Sequence, residues 1–240
     1  MYKKGRPCGD GICESDAFNH IYGSMSTMNK LGKVDVIYED KNIVAADKPA
    51  GVLFDWILAS RPELLVVHRL DKDTSGVILF AKDQVAADYL KDLFQTHNIQ
   101  KTYNALVSGF VKQKEGIIDL PIGRSKKTPL KRVAVGEQRG VIRDALTEYT
   151  VLRRFEKFTL VEVRPKTGRT HQIRSHFSAV GHPVVCDRLY SGHKFICPHG
   201  LTRQFLHAKS VEFILPTGKS IKLETDLSAD LCNVLAHLPK

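Results

Sequence analysis

The sequence predicts an α+β domain built on a large mixed, mainly antiparallel β-sheet with flanking helices. From Val34 onward about nine short β-prone runs follow one another, mostly across tight turns. About three or four helical stretches interrupt them without alternating regularly with the strands, which argues against a doubly wound βαβ sheet. Apolar residues are 42% and charged residues 26% of 240. A soluble globular chain of this length buries roughly 70–75% of the surface it exposes when unfolded.

The elements follow in order. Val34–Tyr38 and Ile43–Asp47 flank an acidic turn and predict a hairpin. Val77–Lys82 reads as a buried strand, and Asp83 then caps a helix reaching about His97, with Leu90, Leu93 and Phe94 on one side. Thr102–Ser108, Lys131–Val135, Ala145–Arg153 and Thr159–Arg164 are expected strands, the last with Val161 and Val163 alternating against Leu160, Glu162 and Arg164. Thr170 is expected to cap a helix whose Ile173, Phe177 and Val180 share a face and which Gly181 closes. Val211–Leu215 and Lys219–Glu224 form a second hairpin around Pro216-Thr-Gly218, and Ser228 caps a last amphipathic helix through Leu231, Val234, Leu235 and Leu238. Residues 1–33, rich in Gly, Ser and Asn and without periodicity, are expected to form a poorly structured arm, and 34–240 the folded domain.

Charge narrows the partner. The 36 Lys and Arg against 26 Asp and Glu give a net charge of +10, which in a compact domain points to nucleic acid rather than a membrane, since no basic amphipathic helix stands out. No apolar run approaches the roughly 18 residues of a membrane span, and the basic start MYKKGRPCGDG leads into no apolar signal core. Five cysteines at irregular spacing, in a chain that needs no staples, suggest reduced thiols and a cytoplasmic location. Cys8-x4-Cys13 with His20 is half of a zinc site whose second pair is missing.

Two segments could carry chemistry. His68-Arg-Leu-Asp-Lys-Asp-Thr-Ser-Gly76 crowds charge ahead of an apolar strand. Asp73 and Ser75 read as turn caps and Gly76 as a positive-φ residue. Asp71, between basic Arg69 and Lys72, is a candidate nucleophile or base. The Asp71-x-Asp73 spacing fails as a phosphatase loop. The His171-x4-His176 imidazoles fall about 140° apart on a helix, so neither pair predicts a metal. In Arg164-Pro-Lys-Thr-Gly-Arg-Thr-His-Gln-Ile-Arg174, Arg169, Arg174 and a helix N-terminus together suit a phosphate or carboxylate, or else form a solvated basic turn. Between these segments, Arg124 to Arg154 carries nine Lys or Arg against three acids, an RNA-facing strip or a solvated face. Tyr103, alternating with Ala105 and Val107, reads by pattern as a core aromatic.

HRLDKDTSGVILFAK, KTYNALVSG and RPKTGRTHQIRSH, in this order, resemble the RluA-type RNA pseudouridine synthases. KPAG at Lys48–Gly51, TEY at Thr147–Tyr149 and GHPVVCDRLY at Gly181–Tyr190 extend the resemblance over about residues 34–226. The resemblance implies the pseudouridine synthase fold and isomerisation of uridines in structured ribosomal or transfer RNA, without cofactor or metal. It implies Asp71 as the catalytic aspartate, Arg174 as its partner, Tyr103 as the aromatic packing on uracil, and Arg69 as the arginine that enters the stack when the base flips out. His68, Arg169, Lys126, Lys127, Lys131 and Arg132 are further expected RNA contacts. Three features depart from the family pattern. Only 16 residues separate Gly51 from His68, Cys186 stands where the family usually has Gly, and no S4-like RNA-binding domain is expected upstream. The protein is expected to be a catalytic-domain monomer that touches no membrane. A catalytically inactive RNA-binding module and a metal-dependent phosphoesterase are the competing readings.

Overall fold

Thirteen strands and three α-helices make up the chain over the residues that the computed structural model describes, 34–198 and 200–239. The expected arm, with Cys8, Cys13 and His20, lies outside them. The strands are β1 (Asp35–Glu39), β2 (Ile43–Lys48), β3 (Leu65–Val66), β4 (Ser75–Ala81), β5 (Gln100–Ser108), β6 (Glu115–Asp119), β7 (Ile122–Ser125), β8 (Arg132–Val133), β9 (Gln138–Arg143), β10 (Leu146–Arg154), β11 (Phe158–Pro165), β12 (Leu206–Ile214) and β13 (Ser220–Glu224). The helices are α1 (Gln84–Gln95), α2 (Gln172–Ala179) and α3 (Ala229–His237).

Ten strands form one sheet in the order β1-β2-β4-β12-β5-β11-β10-β6, with β3 beside β4 and β13 beside β12. Its pairings are antiparallel except β4 with β12, where His207 faces Ser75 and Ala208 faces Gly76. A mixed, mainly antiparallel sheet is what the sequence predicts. β7, β8 and β9 form a separate three-stranded sheet, in the order β8-β7-β9. The strands that the sequence reading lacks have a common reason. β9 is exposed along almost its whole length and β6 buries one residue, so neither shows the alternation that marks a strand. β3 and β7 are short.

Side-chain alternation sends the helices to their places. β5 turns Ala105 and Val107 towards Ile173 and Phe177 of α2, and Leu106 the other way towards Leu231 and Val234 of α3. Leu90 and Leu93 of α1 pack on Ile43, Val77, Leu79, Val211 and Phe213. At about 1.5–3 kcal/mol for each large apolar side chain buried, this packing outweighs the caps. Asp83 does cap α1, its carboxylate accepting from the Ala86 N–H at 2.8 Å. Thr170 does not cap α2. His171 takes that place with φ 56°, and the Gln172 carboxamide oxygen accepts from the Arg169 N–H at 2.9 Å across the turn. Ser228 precedes α3, but its hydroxyl accepts from Arg203 instead of capping.

The cysteine expectation is corrected. Cys186 and Cys197 are joined in a disulfide, and Cys232 is the free thiol among the described residues. Cys186 has φ 60°, so the left-handed backbone suited to a glycine is retained with a side chain on it.

Gly76, with φ 114°, lies against β12 so closely that a Cβ there would collide with the backbone carbonyl of Ala208. Gly76→Ala should therefore lower unfolding free energy by about 1–3 kcal/mol or more. Urea denaturation followed by circular dichroism measures it, and an unchanged midpoint would show that the β4–β12 seam is not close-packed.

Candidate active site

Asp71 stands on the loop between β3 and β4, and that loop is gripped by its backbone. Lys48 is fully buried at the end of β2, and its ammonium donates to the carbonyls of Pro49, Val52 and Lys72, each at 2.9 Å. Burial draws the Lys48 pKa down to about 8, which leaves it charged at neutral pH. Arg203, also buried, donates from Nη1 to the carbonyl of Asp73 at 3.1 Å, while Nε and Nη2 form a bidentate pair with Asp230. Two buried cations thus hold consecutive carbonyls immediately after Asp71. The side-chain caps expected from Asp73 and Ser75 are not what shapes the turn. The Thr74 N–H donates to the Asp71 carbonyl, and the Ser75 hydroxyl meets Arg203 and His207 instead.

Arg174 reaches Asp71 from α2. Its Nη1 donates to Asp71 Oδ2 at 2.8 Å, across 103 residues of sequence. Its other edge is held by Asp187, with Nε to Oδ2 at 2.6 Å and Nη2 to Oδ1 at 3.0 Å. The Leu189 and Tyr190 N–H groups also donate to Asp187 Oδ1. Asp187 is 1% exposed, so removing it would leave the guanidinium buried with one carboxylate. Breaking such a buried pair typically costs about 3–5 kcal/mol.

Asp71 and Arg174 open on a cavity of about 280 Å³ whose walls include Tyr103, Lys101, Arg169 and His171. Tyr103 on β5 pairs with Ala208 of β12, which in turn pairs with Gly76 of β4. The cavity therefore straddles three neighbouring strands. Burial pushes the Tyr103 hydroxyl pKa up, and the Asp71 charge adds to this, so the phenol stays neutral. Lys101, drawn to about 8 by burial and the nearby Arg169, donates to the Thr167 carbonyl at 3.1 Å.

The expected RNA-facing residues divide. Arg169 lines the cavity, with Nε donating to the Asp144 carbonyl. Arg69 is exposed on the rim, its guanidinium 5.4 Å above the Phe54 ring centre. His68 also borders the cavity, but its Nε2 accepts from the Leu79 N–H at 2.8 Å and its ring stacks on Phe94 at 4.4 Å. Those contacts tie it to the frame. Lys126 and Lys127 are exposed on the turn between β7 and β8, away from the cavity walls. Lys131 and Arg132 come close to the site through Tyr190, whose ring lies 5.0 Å below the Lys131 ammonium and whose hydroxyl accepts from the Arg132 N–H. The two histidines of the His171-x4-His176 spacing part company. His171 borders the cavity, while His176 is buried between the Thr147 hydroxyl and the Leu120 carbonyl.

Sequence reasoning assigned no role to Lys48, Asp187, Tyr190, Lys101 or Arg203. Lys48 and Lys101 lie inside quoted motifs, and Asp187 and Tyr190 inside GHPVVCDRLY. Membership of those motifs is the only signal the sequence offers for them, and Arg203 lies in none.

A family model described as RNA pseudouridylate synthase matches residues 42–179. An uncharacterised RNA pseudouridine synthase of Bacillus subtilis, YhcT, is 34% identical over 98% of this chain and 80% of its own length. The dual-specificity RNA pseudouridine synthase RluA of Vibrio cholerae is 42% identical over 66% of this chain and 69% of its own. Among solved structures, human RNA pseudouridylate synthase domain containing 1 superposes with a TM-score of 0.72 at 26% identity, covering 87% of this chain and 96% of that one.

His68 generates a pH prediction. Burial, reinforced by Lys101, pushes its pKa down to about 3, whereas the unfolded chain binds that proton near pH 6.5. The stability tied to neutral His68 is complete above about pH 6.5 and is lost as pH falls towards 3, by up to about 1.4 kcal/mol per pH unit. Urea unfolding of wild type and His68→Gln between pH 7 and 4 should show the extra slope only in wild type. Parallel slopes would mean that His68 is not held neutral.

Proposed function

The chain belongs to the RNA pseudouridylate synthase family, and we propose that it isomerises selected uridines of structured ribosomal or transfer RNA, with Asp71 as the nucleophile acting on a flipped-out nucleotide. The observation that carries this reading is the chain Asp187–Arg174–Asp71, which presents one carboxylate oxygen edge to a cavity walled by Tyr103. A cavity of about 280 Å³ stands at the small end of ligand pockets, in keeping with a single flipped-out base. A base in a duplex would have to leave its stack to enter, at a cost of a few kcal/mol.

The chemistry follows from these positions. An Asp71 oxygen supplies an electron pair at C1′ while the N1–C1′ pair departs with the uracil. The base turns against the Tyr103 ring so that C5 faces C1′, the C5–C1′ bond forms as the Asp71–C1′ bond breaks and its electron pair returns to the carboxylate, the C5 proton passes to water, and N1 takes up a proton. No atom is gained or lost overall, and no electron acceptor is needed. Arg174 holds the carboxylate in place throughout. Arg69, exposed at the rim, is positioned to fill the gap left in the RNA stack. The small sheet, with Lys126, Lys127, Lys131 and Arg132, supplies phosphate contacts, as does Arg169. RNA of this kind places the work in the cytoplasm, and one chain carries every residue the scheme uses.

Two measurements test the reading. Affinity for a structured RNA should fall linearly on a log–log salt plot, each phosphate neutralised contributing about −0.7 to −0.9 to the slope, and a slope near zero in a potassium chloride titration would remove the electrostatic grip. Asp71→Asn should bind RNA as well as wild type but release no tritium from C5-labelled uridine. Release at the wild-type rate would exclude Asp71 as nucleophile.

A further inference from the structure

Tyr190, buried behind the cavity wall, places its hydroxyl between the Arg132 backbone and His171, which lines the cavity. The Arg132 N–H donates to it at 2.9 Å, and His171 Nδ1 lies 3.0 Å away. A phenol has one proton to give, and a neutral imidazole has one nitrogen that donates and one that accepts. The Arg132 amide can only donate. Among the described residues no other group is placed to accept the phenol proton, so the arrangement that satisfies all three has Tyr190 donating to Nδ1. The imidazole proton is then on Nε2.

Nε2 faces the cavity, 3.8 Å from Asp71 Oδ2. That is too long for a hydrogen bond, so the donor is unspent. It is also close enough to Asp71 that a base leaving a carbon under attack by that carboxylate falls within its reach. The charged groups around the pair are Asp71, Arg174, Asp187, Arg132 and Lys131. Burial lowers the His171 pKa against the opposing pull of Asp71, and burial raises that of Tyr190, so both rings are neutral at neutral pH. His171 also holds φ 56°, a conformation that a histidine adopts at a cost and that is common at functional sites.

We propose that Tyr190 is a positioning residue that fixes His171 as a neutral Nε2–H donor, and that this donor binds the uracil O2 as the glycosidic bond breaks. The inference rests on the pseudouridine synthase reading above. The N1–C1′ electron pair that leaves with the base spreads its charge through C2 onto O2, two bonds from the reacting nitrogen. His171 donates a hydrogen bond there and keeps its proton, so the balance of the isomerisation is unchanged.

Tritium-release kinetics on Tyr190→Phe, His171→Asn and the double variant test it, since asparagine tolerates the left-handed backbone. His171→Asn should lower kcat about 100-fold, the usual loss of one such donor, and Tyr190→Phe about 10-fold, both with KM unchanged. The double variant should be no slower than His171→Asn alone, because Tyr190 acts through His171. Independently of turnover, nitrogen NMR should show His171 as the Nε2–H tautomer in wild type and as a mixture in Tyr190→Phe. An Nδ1–H tautomer in wild type, an unchanged kcat in Tyr190→Phe, or losses that multiply in the double variant would overturn the proposal. If His171→Asn does not fold, the tautomer and the Tyr190→Phe kinetics still decide. An inactive wild type would defeat the functional reading itself, whereas an active wild type with an unaffected Tyr190→Phe defeats only this inference.

Discussion

Arg174 has to serve two carboxylates at once, and the rest of the site is arranged around that constraint. A buried guanidinium is tolerable only when its donors are used, and Asp187 uses one whole edge of it. What remains is a single Nη1 direction, and Asp71 lies along it. Asp187 is in turn held by two backbone N–H groups on the turn that follows Cys186. The position of the Asp71 carboxylate thus descends from a backbone turn through two ion pairs, with little freedom at any step.

The β4–β12 pairing supplies the second half of the frame. It is the one parallel pairing in a sheet otherwise antiparallel, and it brings the Asp71 loop, which leads into β4, two strands away from Tyr103 on β5. Each side of this seam has its own core, with α1 over Val77 and Leu79 and α2 over Val161 and Val163. A carboxylate from one side and an aromatic ring from the other can meet only if the seam is tight, which is why glycine stands where β4 crosses Ala208.

Much of this was legible in the sequence. The first hairpin, the Asp83-capped helix and the β12–β13 hairpin follow from local pattern, because local hydrogen bonds and alternation decide them. Asp71, Arg174 and Tyr103 followed from motifs. Lys48, Arg203 and Asp187 were not visible as anchors, since each grips something brought near by the fold. Arg203 meets Asp73 across 130 residues. The cap of α2 lies at His171 rather than Thr170, in a left-handed backbone conformation that no local pattern announces. The disulfide escaped notice because an odd number of irregularly spaced cysteines marks no pair.

Lys48 and Arg203 hold the Asp71 loop by the carbonyl oxygens of residues 72 and 73, and a carbonyl is the same in every amino acid. The identities of those two side chains are therefore decoupled from the geometry beside them. Lys72 is exposed and Asp73 half-buried, so both positions can drift in charge and shape while the neighbouring carboxylate stays where it is. Such a loop can be retuned at its surface without moving the carboxylate one residue away.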